Sequence, residues 1–210
     1  VKITILGATG RTGTPLVLQA LERDHTVTAV VRDPARLTVD SHPRLGVAVA
    51  AALTADSLGP LVAGRDAVLS VLGPHDLGPT SICSDATTAA IAAMRSHGVH
   101  RLIVVSASGA YPGPGDPPLV RWVLKPLLGL VLRHPFADTR KMEDALRATD
   151  LDWTIVRPPR LTGKPCTGQY RTAVDRNVGG RARVSRADVA DCMLNLLENP
   201  ASARTVVSIG

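Results

Sequence analysis

Short apolar runs alternate with segments of helical periodicity along nearly the whole chain. The runs at 2–6, 26–31, 47–51, 67–71, 102–106, 153–156 and 205–209 are rich in Val, Ile, Leu and Ala, and have the length of buried strands. Between them, apolar positions recurring at helical spacing predict helices at 14–23, 57–63, 81–97, 138–149 and 186–197, with a short turn from Pro34. Alternation of this kind predicts an α/β fold: a doubly wound, mostly parallel sheet with helices on both faces. Right-handed crossovers place the first strand at the centre of that sheet, beside the switch in strand order where ligands bind. A length of 210 residues suits a single domain, 1–210, with a large core.

The pattern breaks once. Residues 111–118, YPGPGDPP, are a Pro/Gly-rich loop, and the most apolar stretch of the chain follows at 119–132, LVRWVLKPLLGLVL. That stretch is too short to span a bilayer and is interrupted by Arg121, Lys125, Pro126 and Gly129. Two readings stay open, a helix lying on a membrane surface and a hydrophobic cover over a substrate pocket; the cover is preferred. The whole of 111–136 is read as an insertion after the fifth strand, an amphipathic lid in preference to a plain surface excursion.

Composition alters this picture little. Hydrophobic residues make up 45% and charged residues 20%, a globular balance. The net charge of +6 raises the question of nucleic acid, but the basic residues are spread along the chain and aromatics are only 2%, so stacking platforms are lacking. The positive field suits an anionic cofactor or acidic substrate instead. Cys83, Cys166 and Cys192 are far apart and in no metal spacing, and no leader-like run precedes the first strand, so the expectation is a cytoplasmic protein without a metal site.

The candidate chemistry sits where strands end. Residues 1–13, VKITILGATGRTG, run from strand through a glycine turn into a helix, the arrangement that sets a helix N-terminus against a pyrophosphate. Gly7 permits the sharp turn, Gly10 close approach of the backbone to a ligand, and Gly13 close packing of helix on strand. Thr9, Arg11 and Thr12 complete the turn. The fold is thus Rossmann-like and the ligand a dinucleotide. After the second strand comes Arg32-Asp33-Pro34-Ala35-Arg36. Asp before Pro is a common helix start, which occupies the carboxylate with backbone N–H groups. Arg32 and Arg36 then remain for a ribose 2′-phosphate, favouring NADP(H) over NAD(H).

The fourth strand leads to Leu72-Gly73, which either borders the cofactor or only turns the chain before Pro74; His75 and Asp76 follow in the same loop. The fifth ends at Ser106, with Ser108 and Tyr111 close behind. A hydroxyl there would face a nicotinamide and either hydrogen-bond or protonate an acceptor. Serines after a strand also simply cap turns, so both roles stay open.

Taken together, VKITILGATGRTG, VRDPARL, SVLG, AAMRSHGVHRLIVVSASGAY, LRATDLDWTIVRPPRLT and VSRADVADCML resemble the atypical short-chain dehydrogenase/reductases, closest to the biliverdin reductase B (flavin reductase)-like and NmrA-like NAD(P)H-binding proteins. The resemblance runs from Lys2 to about Ile209. It implies NADP(H) bound at Gly7, Gly10, Arg11, Thr12 and Gly13, the 2′-phosphate at Arg32 and Arg36, and Pro158 with its loop flanking the nicotinamide. It also implies that Arg186 and Asp188 pair or cap at the start of the last helix, and that the protein is a monomer or small homo-oligomer.

Two departures stand out. Where the family often carries an adenine-contacting Asp, this chain reads Val49-Ala50-Ala51-Ala52, leaving the contact to the Leu53 backbone, to Asp56, or to nothing. No Tyr-x-x-x-Lys pair is present; Lys141 has Ala137 four residues before it. Ketone reduction through a Tyr/Lys relay is therefore unsupported, whereas hydride transfer to a flavin, quinone or other conjugated or carbonyl-bearing small molecule needs mainly proximity and orientation. The expectation is an NADPH-dependent reductase of a small-molecule substrate, with Ser106, Ser108 and Tyr111 as candidate acids and no nucleic-acid or membrane partner; the alternative is a non-catalytic NAD(P)(H) sensor.

Overall fold

The computed structural model describes residues 1–74, 76–179 and 183–210. Eight strands form one sheet: β1 (Lys2–Leu6), β2 (Thr26–Val31), β3 (Leu45–Val49), β4 (Ala67–Ser70), β5 (Arg101–Val105), β6 (Asp152–Arg157), β8 (Thr172–Val174) and β10 (Thr205–Ile209). Their order is β3-β2-β1-β4-β5-β6-β10-β8, parallel throughout except for the edge strand β8, which runs antiparallel to β10. Order reverses beside β1, flanked by β2 and β4, as the crossover rule requires. The remaining strands, β7 (Arg160–Thr162) and β9 (Arg183–Ser185), make a separate two-stranded ribbon.

Helices cover both faces. Ile3 and Ile5 of β1 pack under α1 (Gly13–Glu22) and α6 (Arg186–Leu197) in one apolar layer. Leu6, Val68 and Leu102 face the other, closed by α2 (Ala55–Val62), α3 (Ile82–Ser96) and α5 (Arg133–Arg147). A strand buried on both faces has no use for alternation, which is why these strands read as continuous apolar runs.

The sequence boundaries of β1, β2, β10 and α6 agree with the structure. Elsewhere they shift, each for a local reason. β3 lies two residues earlier than the 47–51 run because pairing with β2, Val27 to Leu45 through Val31 to Val49, sets its register on a uniformly apolar stretch. α5 begins at Arg133, not 138, because Pro135 sits in the first turn, where its missing N–H is not needed. The strands β7, β8 and β9, three residues each, carry too little periodicity to be read from sequence. The apolar stretch forms a π-helical turn (Val120–Leu124) leading into α4 (Lys125–Val131), and it is not amphipathic: its one lysine is buried and apolar side chains cover both faces.

Candidate functional site: two cavities on the carboxyl edge of the sheet

The turn after β1 is shaped by its glycines. Gly7 has φ +84°, a left-handed conformation closed to most side chains. Its carbonyl accepts from Gly10 N at 3.0 Å, and a Cβ on Gly13 would lie 2.0 Å from that same oxygen. Gly13 is thus what lets α1 pack against the turn. The helix it opens has an uncommitted positive end. Thr12 at the N-cap makes no side-chain capping bond and the first turn holds no acid. By contrast, Thr54 and Ser57 form a capping box on α2, Asp138 accepts from Cys83 N and Ser84 N on α3, and Ser185 caps α6. The dipoles of α2, α3 and α6 are thus answered by side chains; α1, like α4 and α5, has no such cap, and α1 alone of these three begins at the glycine turn.

That end borders a cavity of about 330 Å³ over β1–β4, lined by Gly7, Thr9, Gly10, Arg32, Leu72 and Gly73, among others. Among the described residues a Cβ on Gly73 would meet nothing within 4 Å, so this glycine leaves open space at the wall. Asp33 accepts from Ala35 N at 3.0 Å and caps the turn at Pro34–Arg36, the role its sequence context indicated. Arg32 lines the cavity, whereas Arg36 is exposed and does not. Arg11 is exposed, and Thr12 and Gly13 are buried beneath the turn. The rest of its wall includes Ala50, Ala51, Leu53, Ile82 and Ala86, with one carboxylate among the described residues, Asp85; Asp56 does not contribute. Asp85, which accepts from Ser81 Oγ at 2.6 Å, was missed because nothing in the sequence places the first turn of α3 opposite the end of β3.

The second cavity, about 450 Å³, opens over the ends of β5 and β6. Its floor is Ser108, Gly109, Pro158 and Pro159, and its roof is Val120, Leu124, Leu128 and Leu132 from the inner face of the 119–132 segment. A backbone bond from Ser108 N to Pro158 O, 2.9 Å, joins the two loops. The roof is held by a buried polar cluster: Asp116 Oδ2 accepts from Lys125 Nζ at 2.7 Å, Asn177 Nδ2 at 2.8 Å and Gly113 N at 3.0 Å. Burial lowers the Lys125 pKa, and the bond to Asp116 opposes that shift. Gly115, at φ +91°, fits against Asn177 so closely that a Cβ would sit 1.8 Å from its carbonyl oxygen.

The three candidate hydroxyls therefore separate. Only Ser108 faces a cavity. Ser106 is buried, and its Oγ donates to Glu143 Oε1 at 2.5 Å. Glu143, on α5, also receives Arg157 Nε at 2.9 Å and Nη2 at 2.5 Å, and Arg157 stacks 3.5 Å from the centre of the Tyr111 ring. The Tyr111 hydroxyl is buried beside Glu143 and makes no hydrogen bond of good geometry among the described residues; burial, followed by the negative charge of Glu143, raises its pKa. Ser106 and Tyr111 line neither cavity, which corrects their sequence-based placement beside an acceptor: a buried carboxylate and guanidinium hold them. The helix face meeting Ser106 carries Thr139 and Glu143, neither a phenol nor a lysine, and Thr139 Oγ1 is bonded to Pro135 O. Asp188 is structural, as the resemblance implied, tying Thr167 N and Gly168 N to the start of α6. Among the flagged loop residues, Asp76 accepts from Gly78 N and His75 lies outside the described residues.

Among the described residues no group of His, Cys, Asp and Glu could hold a metal, and no helix is long and apolar enough to cross a membrane.

Comparison with known proteins agrees with this geometry. The Bacillus subtilis protein YwnB, itself uncharacterized, is 28% identical over 206 residues, 95% of this chain and 93% of its own. The oxidoreductase ylbE of Lactococcus lactis superposes on the whole chain and 90% of its own with a TM-score of 0.81 at 22% identity. A short-chain dehydrogenase/reductase of Veillonella parvula in complex with NADP does so over 94% of its own with a TM-score of 0.82 at 21% identity. At those identities the two structures speak for the fold. A model described as NAD(P)H-binding matches residues 7–200, from the first glycine of the β1–α1 turn to beyond α6, and on that match the chain belongs to the NAD(P)H-binding family.

Proposed function

We propose that the protein is an NADPH-dependent reductase of a flat, apolar, conjugated or carbonyl-bearing acceptor. The observation that carries this reading is the juxtaposition of two unlike cavities on one sheet edge. One has an unanswered helix N-terminus and Arg32 for phosphates; the other is apolar with one hydroxyl, Ser108, at its floor. NADPH, when bound, supplies a hydride. Gly7, Thr9 and Gly10 present backbone to the pyrophosphate, Arg32 takes the 2′-phosphate, and Pro158 flanks the nicotinamide. The NADP held by the Veillonella neighbour supports the same choice of cofactor. Ser108 orients the acceptor and hydrogen-bonds its developing negative charge, while the 119–132 roof excludes water. With Ser106 and Tyr111 committed elsewhere, this assignment needs no Tyr/Lys relay.

The test is NADPH oxidation against flavins, quinones and carbonyl compounds, with NADPH affinity measured in parallel. Acceptor-dependent turnover is expected, and Ser108→Ala lowers kcat by roughly a hundredfold. Tight NADPH binding with no turnover on any acceptor would instead support a cofactor sensor, the reading that the sealing of Ser106 and Tyr111 favours.

A further inference from the structure

The roof of the second cavity has an outer face that no described residue covers. Leu119, Trp122, Val123, Leu127, Leu130 and Val131 are exposed and line neither cavity, with Trp122 70% and Leu130 72% accessible. A helical segment apolar on both sides is normally buried on both. Scattered apolar side chains need no explanation, but six within thirteen residues of one element mark a contact surface.

Charge identifies what it contacts. No acidic residue lies between Asp116 and Asp138. Those two bounding carboxylates are turned inward, Asp116 onto Lys125 and Asn177, Asp138 onto the first turn of α3. The basic residues at the rim are Arg121, 5.0 Å from the centre of the Trp122 ring, and exposed Arg133. A second copy seated here by a two-fold axis would set these arginines among like charges with no carboxylate to answer them. Lipid phosphates answer them, and a tryptophan beside an arginine on an apolar helix suits the boundary between headgroups and acyl chains. A run too short to span a bilayer is long enough to lie on one.

We propose that the outer face of residues 119–133 docks on an anionic lipid surface, so that the cavity beneath it takes an acceptor dissolved in the bilayer. The second clause rests on the reductase reading; the first does not.

Co-sedimentation of the full chain, without cofactor, with phosphatidylcholine vesicles with and without phosphatidylglycerol tests the docking. Binding to the anionic vesicles is expected, weakened by salt. The double variant Trp122→Asp/Leu130→Asp should lose more than about a hundredfold in affinity, and Arg121→Gln or Arg133→Gln about fivefold each. Vesicle binding should shift the fluorescence of the wild type but not of Trp122→Phe. No binding to either vesicle, or equal binding to both, overturns the proposal. So does a stable dimer by sedimentation velocity that Trp122→Asp dissociates. For the second clause, the double variant should lose turnover of a long-chain quinone held in vesicles while keeping that of a short-chain, water-soluble quinone. Equal loss on both overturns the bilayer route, and absence of turnover in the wild type overturns the reductase reading while the sedimentation result stands.

Discussion

The two halves of the carboxyl edge are built from different materials. Over β1–β4 the site is backbone and small side chains: a glycine turn, an uncapped helix end, and alanines along the far wall. Over β5 and β6 it is long side chains that meet from distant parts of the chain, Ser106 with Glu143 across 37 positions and Asn177 with Asp116 across 61. The first half offers a fixed field to a charged ligand at little conformational cost. The second half spends its ionisable groups on holding itself together and leaves an apolar space. The first cavity is thus shaped by the backbone of a turn, and the second by a roof and its anchors.

The sharpest way to break the first half is Gly13→Ala. A methyl 2.0 Å from Gly7 O cannot be relieved by a rotamer, because the opposing atom is backbone. The change should exceed the ~1–3 kcal/mol usual for overpacking and abolish NADPH binding, read by urea unfolding and by titration of cofactor fluorescence. Gly129→Ala in α4 is the counterpart in the other half. Nothing lies within 4 Å of the added methyl, so it should stabilise by up to about 1 kcal/mol through helix propensity.

Glu143→Gln tests the second half. It leaves the Arg157 guanidinium beside a neutral amide in a nearly closed site, with side-chain accessibilities of 14% and 1% for the pair. Removing one partner of such a pair costs about 3–5 kcal/mol, measured as a shift in urea midpoint. Replacing Arg157 by Met as well should recover much of the loss. NADPH affinity should stay within a factor of about 3 of wild type if the halves are independent; a larger fall would show that the two halves of the edge are coupled.

This division also decides what was legible in the sequence. The glycine turn, the Asp33 cap and the place of β1 beside the switch in strand order follow from local rules about φ, capping and crossover hand, and all are present as read. Glu143 could not be singled out, because its importance comes from α5 crossing the end of β5, and one acid on a charged helix looks like any other. Ser106, Ser108 and Tyr111 were grouped because they lie within six positions of one another. The 3₁₀ turn at Ser108–Ala110 separates them by facing, which spacing alone does not reveal. Lys125, in the sequence only an interruption of the apolar run, points inward to Asp116, a partner nine positions away that spacing alone does not single out.

Arg32→Glu distinguishes the two arginines read together from sequence. Arg32 lines the cavity over β1–β4 and Arg36 does not. Charge reversal at Arg32 should weaken NADPH by roughly ten- to a hundredfold, the size of a charge-assisted hydrogen bond. NADH, lacking the 2′-phosphate, should change by less than about threefold. Arg36→Glu should have the smaller effect on NADPH; equal effects would mean that the turn at Pro34–Arg36 rearranges around the ligand.

Tyr111 supplies the smallest and most specific test. Burial and the Glu143 charge raise its phenol above the ordinary value of 10.0, and burial with a hydrogen bond to Asp191 does the same for Tyr170, the chain's only other tyrosine. An acid whose pKa is raised by folding keeps its proton where the unfolded chain has released it. Above pH 10 unfolding therefore releases protons, and stability falls as pH rises, by at most about 1.4 kcal/mol per pH unit for each tyrosine and by less where water reaches the ring. Tyrosinate absorbance should then appear only together with alkaline unfolding. Tyr111→Phe should remove part of that slope and change stability near neutral pH by less than about 1 kcal/mol, because the hydroxyl it deletes makes no hydrogen bond of good geometry among the described residues. It should also leave acceptor turnover intact. A large loss of kcat would place the phenol in the acceptor cavity during the reaction, and would mean that the anchored half of the edge opens.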